Sequence, residues 1–238
     1  MSVVLEVCVE TPDGIAAAVA GGAARLEVCA ALALGGLTPS PGMMRAAAGC
    51  GVPAYAMIRP RAGDFVWSAA EVAAMRADIA AARAAGLAGV VLGALRPDGR
   101  LDRAVLAALV DEAAGLGLTL HRCFDLVPDR AEALETAIAL GFWRILTSGG
   151  AETALAGRPA IAALLHQAAG RIVIMPGAGL APENVTQLAG LGLREVHGSC
   201  SMAADEAARI AALGFGPAVL RRTSSDVVRA MVKALAQM

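Results

Sequence analysis

The sequence predicts an α/β chain folded as a (β/α)8 TIM-like barrel, one domain over residues 1–238. Three observations point there. Short aliphatic runs alternate eight times with Ala-rich helical stretches over the 238 residues, and such alternation builds a parallel sheet, closed or doubly wound. No Pro/Ser linker or shift of composition divides the chain. Polar side chains also recur inside the first two strands. An open sheet lies under helices on both faces and reads as unbroken apolar runs, whereas a barrel lumen opens at one end and can collect polar groups.

The strands are read at Val3–Val9, Arg25–Cys29, Ala54–Arg59, Gly89–Leu92, Leu118–Arg122, Arg144–Thr147, Ile172–Met175 and Glu195–His197. Each is a short run rich in aliphatic or β-branched residues. Thr11-Pro12 and Ser40-Pro41 mark helix entries, with a capping hydroxyl before proline at the first helical position. Ser68 with Glu71 reads as a capping box, and Asp129 with Glu132 as a looser version. Gly86 and Gly141 mark helix stops. The loop Gly177-Ala178-Gly179 leads to a helix expected near Pro182. That proline takes the third glycine position of a dinucleotide fingerprint, which the loop therefore fails.

Composition excludes several function classes. Hydrophobic residues make up 57% of the chain, charged ones 17% and aromatics 3%, so the core is aliphatic and the chain is not disordered. A net charge of −1 with no basic run argues against nucleic acid or an anionic membrane as partner. The longest uncharged stretch, Val28 to Met44, is broken by Gly35-Gly36 and Pro39-Ser40-Pro41-Gly42 and cannot span a bilayer. The start has no positive n-region, so no signal peptide is expected. Five scattered cysteines suggest reduced thiols in a cytoplasmic protein. Lys233 is the only lysine and lies near the end, which argues against Schiff-base or pyridoxal phosphate chemistry.

Barrel sites lie at the C-terminal ends of the strands. Glu6 and Cys8 share one face of the first strand, as Glu27 and Cys29 do in the second. The repeat Leu-Glu-Val-Cys at 5–8 and 26–29 is expected to bring two thiols to neighbouring lumen positions. Soft thiolates select Cu(I), which tolerates few ligands; the competing reading is two small buried hydrophobes. Glu6 and Glu27 need a cation, expected among Arg59, Arg61 or Arg122, unless one stays protonated. They read as a general acid or base, or as a structural ion-pair network. His121 and His197 stand at strand ends facing the site and read as functional, while His166 sits on a helix and reads as uninvolved. Asp125 either orients His121 or caps the next turn. Catalytic candidates are thus Glu6, Glu27, Arg59, Asp64, His121, Arg122, Asp125 and His197. Ser148, Gly149, Gly177, Gly179 and Ser199, near the ends of strands six to eight, are candidates for holding an anion, together with Arg61 after the third strand. Metal candidates are Cys8 and Cys29.

These motifs together resemble the CutC family, named for copper homeostasis. The resemblance runs through Leu-Glu-Val-Cys at 5–8, Arg25-Leu26-Glu27-Val28-Cys29, Gly35-Gly36-Leu37-Thr38-Pro39-Ser40, Ile58-Arg59-Pro60-Arg61 and Gly63-Asp64-Phe65. It continues through His121-Arg122, Phe124-Asp125, Thr147-Ser148-Gly149, Met175-Pro176-Gly177 and Glu195-Val196-His197, to about Ser199. It departs at Ala62, at Cys123 and over Ser201–Leu220. It implies a TIM-like barrel, a cytosolic location, a homo-oligomer (dimer or tetramer) and Cu(I) at Cys8 and Cys29. The expected function is copper homeostasis through Cu(I) binding by these strand-end cysteines. The alternative is a barrel enzyme that works on a small phosphorylated or carboxylated anion by acid–base chemistry. Its motive is the density of Arg, Glu, Asp and His at the strand ends.

Overall fold

The helix-entry signals in the sequence act as read. Thr11 accepts from the Gly14 N–H ahead of α1 (Pro12–Gly21), and Ser40 accepts from the Met43 N–H ahead of α2 (Pro41–Ala48), each with proline in the first turn. Ser68 and Glu71 form a reciprocal capping box on α3 (Ala69–Ala84). Asp102 caps α4 (Arg103–Glu112) and Asp129 caps α5 (Arg130–Ala139), each accepting from two backbone N–H groups. A cap of this kind contributes about 1 kcal/mol. Gly86 and Gly141 take positive φ just beyond α3 and α5, the left-handed stop that glycine adopts without strain.

In this computed structural model, which describes residues 3–204, 207–217 and 219–238, these helices surround a parallel sheet. Its strands are β1 (Val4–Val9), β2 (Arg25–Val28), β3 (Ala54–Met57), β4 (Gly89–Leu92), β5 (Gly117–Leu120), β6 (Arg144–Thr147), β7 (Val173–Pro176) and β8 (Glu195–Gly198). They join in the order β7-β6-β5-β4-β3-β2-β1-β8, the eight-stranded TIM-like barrel expected. Among the described residues no ladder joins β7 to β8; side chains close that side, among them Arg144 of β6 and Arg25, which both reach Glu195 of β8. Leu5, Val7 and Val9 face the aliphatic layer beneath the helices, while Glu6 and Cys8 face the lumen.

Two expectations are corrected. After β7 the chain makes only a single 3-10 turn at Val185–Leu188 instead of a helix from Pro182. Asn184 folds its side chain back onto Ala181 and Gly179, and Gly190 with Gly192 take positive φ shortly after. The parallel register also places Glu6 opposite Arg25 and Cys8 opposite Glu27. Barrel closure staggers neighbouring strands, so the repeated Leu-Glu-Val-Cys segments lie two residues out of step and their thiols are not side by side.

Following α6 (Arg158–Ala168) and β8, the chain leaves the barrel. An antiparallel ribbon of β9 (Ser201–Ala204) and β10 (Leu220–Thr223) brackets α7 (Ala207–Ala212), and α8 (Ser225–Leu235) returns to the wall. There Val228 packs so closely on Gly21 of α1 that a Cβ at Gly21 would lie 2.5 Å from it. No helix among the described residues is long and apolar enough to cross a membrane.

Candidate functional site

The site is built in layers on a buried ion network. Glu6 is fully buried, and Arg25 answers it by bridging Glu6 and Glu195. Arg144 donates to the same Glu195 oxygen at 2.9 Å and to Thr119 Oγ1 at 3.1 Å. The Tyr55 ring lies against both guanidinium groups, at 5.5 and 4.9 Å. Burial alone would raise the Glu6 pKa, but Arg25 and His197 hold it at about 2. The cation expected from Arg59, Arg61 or Arg122 is therefore Arg25. The period of two explains this, because Arg25, Glu27 and Cys29 share the lumen face of one strand.

Above this network His197 stands between two carboxylates, with Nδ1 2.9 Å from Glu6 Oε1 and Nε2 3.8 Å from Glu27 Oε2. Burial opposes its charge, yet Glu27 and Glu6 push the imidazole well above its ordinary value. Burial pushes the Glu27 carboxyl up, and the Glu6 charge adds to this while His197 opposes it. Cys8 completes the group: one ligand atom each from Cys8, Glu27 and His197 lie within 4.8 Å of one another. Glu27 Oε2 accepts from the Cys29 thiol at 3.5 Å, while Oε1 is buried without a partner among the described residues. Cys29 itself packs with Tyr55, Met57 and Val91.

Cys8, Glu27 and His197 line a cavity of about 600 Å³, which Arg59, Phe65 and His121 also line. His121 Nδ1 accepts the Cys123 N–H at 3.2 Å. That bond makes Nε2 the protonated nitrogen of the neutral ring. Burial, with Arg59 adding to it, depresses the His121 pKa to about 3. Arg122, Gly179 and Ser199 line the cavity as well.

Other candidates serve the frame. Asp125 does not reach His121; its carboxylate accepts the N–H groups of Ser148 and Gly150 and the hydroxyls of Thr147 and Ser148. Arg122 Nε pairs with it at 2.8 Å. The donor-rich turn after β6, expected to hold an external anion, thus already encloses the protein's own carboxylate. The Gly149 N–H goes to Thr147 Oγ1, and the Gly177 N–H to the Thr147 carbonyl. Arg61 and Asp64 pair with each other on the surface, where Arg61 also holds Glu71 and packs over Trp67.

Sequence reasoning missed several contributors, Arg144, Tyr55 and Glu195 of the ion network among them. Arg25 was visible through strand alternation. Phe65 stood within Gly63-Asp64-Phe65, where nothing marked it as a cavity wall. Arg221, on the ribbon, lines the cavity from a segment that carried no motif.

The CutC family matches residues 3–202 of the chain. The CutC family protein of Sinorhizobium medicae (strain WSM419) is 58% identical over 231 residues, covering 96% of this chain and 94% of its own length. That of Caulobacter vibrioides (strain NA1000 / CB15N) is 54% identical over 237 residues, covering 98% and 97%. A solved CutC structure from Streptococcus agalactiae, named provisionally for copper homeostasis, aligns with a TM-score of 0.79 at 32% identity, over 83% of this chain and 98% of that one. Thiamine phosphate pyrophosphorylase from Pyrococcus furiosus has the same fold, with a TM-score of 0.61 at 10% identity over 99% of this chain and 96% of that one.

Proposed function

The chain belongs to the CutC family, and from that premise we propose that this copper-homeostasis protein takes Cu(I) as cargo at Cys8, His197 and Glu27. The meeting of these three ligand atoms within 4.8 Å carries the reading. Thiolate and imidazole are donors that suit Cu(I). Glu6 on the far nitrogen of His197 is the carboxylate that commonly orients a ligand histidine. The unpaired Oε1 of Glu27 supports a cation at this point. Cys8 and His197 hold the ion, Glu27 closes the third side, and the Cys29 thiol stands behind Glu27. Five free cysteines suit a reducing cytoplasm.

Anaerobic Cu(I) titration against a competing chelator tests this. Cys8→Ser weakens binding by about a hundredfold, and Cys29→Ser by much less. Unchanged affinity in the Cys8→Ser, Cys29→Ser double variant ends the reading.

Acid–base chemistry on a small anion is the second reading. Its support is a buried carboxyl pushed upward beside an imidazole pushed upward, the kind of shift a general acid or base requires. Turnover of an anionic metabolite that is lost in Glu27→Gln while Cu(I) affinity persists would favour it.

A further inference from the structure

Among the described residues, Arg59 is a buried cation without an anion. It is 6% exposed, and its guanidinium donates to backbone carbonyls: Nη1 to Leu34 at 2.8 Å and Gly36 at 3.2 Å, and Nη2 to Gly63 at 3.0 Å. Carbonyls orient a guanidinium and leave its charge uncompensated, which burial makes costly. Its Nε–H has no partner among the described residues. The Nε2–H of His121, a residue 3% exposed, has none either. Phe65 holds the two together, with the Arg59 guanidinium 4.8 Å and the His121 ring 4.9 Å from its centroid. Arg59 and His121 both line the cavity, just beyond the ends of β3 and β5.

We propose that this wall of the cavity binds a small carboxylate, with Arg59 Nε–H and His121 Nε2–H as its donors. Two single donors match a two-oxygen planar anion. A phosphate needs more donors, commonly from backbone amides or a helix N-terminus. Here the Ser148 and Gly150 amides are spent on Asp125, and β7 leads only to a 3-10 turn. The volume, about 600 Å³, lies within the range of small-ligand sites and leaves room for the rest of the molecule. The site stands independently of the copper reading.

Acetate, pyruvate and benzoate are titrated into the chelator-treated full chain, with orthophosphate for comparison. The readouts are melting temperature and the His121 Nε2–H resonance by NMR. A carboxylate raises the melting temperature saturably and moves that resonance downfield, also in the Cys8→Ser chain, where the copper reading has lost its thiol. Arg59→Met and His121→Phe each weaken binding by about tenfold or more. The resonance is read in the unaltered chain, so a variant that fails to fold leaves the test intact. Absence of any saturable carboxylate effect, binding that leaves the His121 resonance in place, or preference for orthophosphate overturns the proposal.

Discussion

Cys8 stands opposite Glu27, and not opposite Cys29, in the parallel ladder of the first two strands. The two thiols of the repeat therefore meet different surroundings. Cys8 lines the cavity, whereas burial and the Glu27 charge push the Cys29 thiol well above its ordinary value. Iodoacetamide followed by mass spectrometry should label Cys8 before Cys29, since alkylation needs an accessible thiolate. Faster labelling of Cys29 would contradict this arrangement.

Arg25 carries the ion network. Its replacement by Met leaves Glu6 and Glu195 without their shared cation, and breaking a buried pair in this way costs roughly 3–5 kcal/mol. Urea unfolding measures that loss. Adding Glu6→Gln should recover part of it, because one stranded charge is removed with its partner.

Stability should fall in acid through His121. Its folded-state pKa, about 3, lies below the ordinary 6.5, so the unfolded chain binds the proton more readily. The contribution is complete above pH 6.5 and is lost as pH falls toward 3. At pH 5 it amounts to about 2 kcal/mol lost relative to neutral pH. His121→Gln flattens this part of the profile, as urea midpoints at pH 7 and 5 will report; an unchanged slope would remove His121 as its cause.

The lumen floor is packed tightly around one ring. A Cβ at Gly117 would lie 2.1 Å from the Tyr55 hydroxyl, and one at Gly89 would lie 2.1 Å from the ring edge. Tyr55 is 4% exposed and hemmed in by both guanidinium groups. Gly117→Ala should cost about 1–3 kcal/mol by overpacking, and Tyr55→Phe in the same chain should restore part of it. Thermal melts of the single and double variants decide.

The barrel was legible because its local signals agreed. The caps at Thr11, Ser40, Ser68 and Asp129 and the stops at Gly86 and Gly141 all recur in the structure. The lumen face of Glu6 and Cys8 followed from alternation alone. Register did not, since stagger arises from closing all eight strands together and no single strand encodes it. For that reason Arg25 was overlooked as the partner of Glu6, and Cys29 was set beside Cys8. Asp125 illustrates a second limit: glycine and serine after a strand indicate available amides, but not whether a carboxylate elsewhere in the chain already occupies them.

The unpaired flank between β7 and β8 has a mechanical corollary. Parting those two strands breaks no interstrand hydrogen bond among the described residues, while parting any ladder-joined pair does. Side chains hold the gap instead: Arg144 of β6 bonds Glu195 of β8, and Arg25 reaches both Met175 of β7 and Glu195, next to His197, whose Cβ sits against the space that a side chain at Gly177 would fill. A guest held at His197 lies beside a wall that buried ion pairs, not a backbone ladder, hold shut.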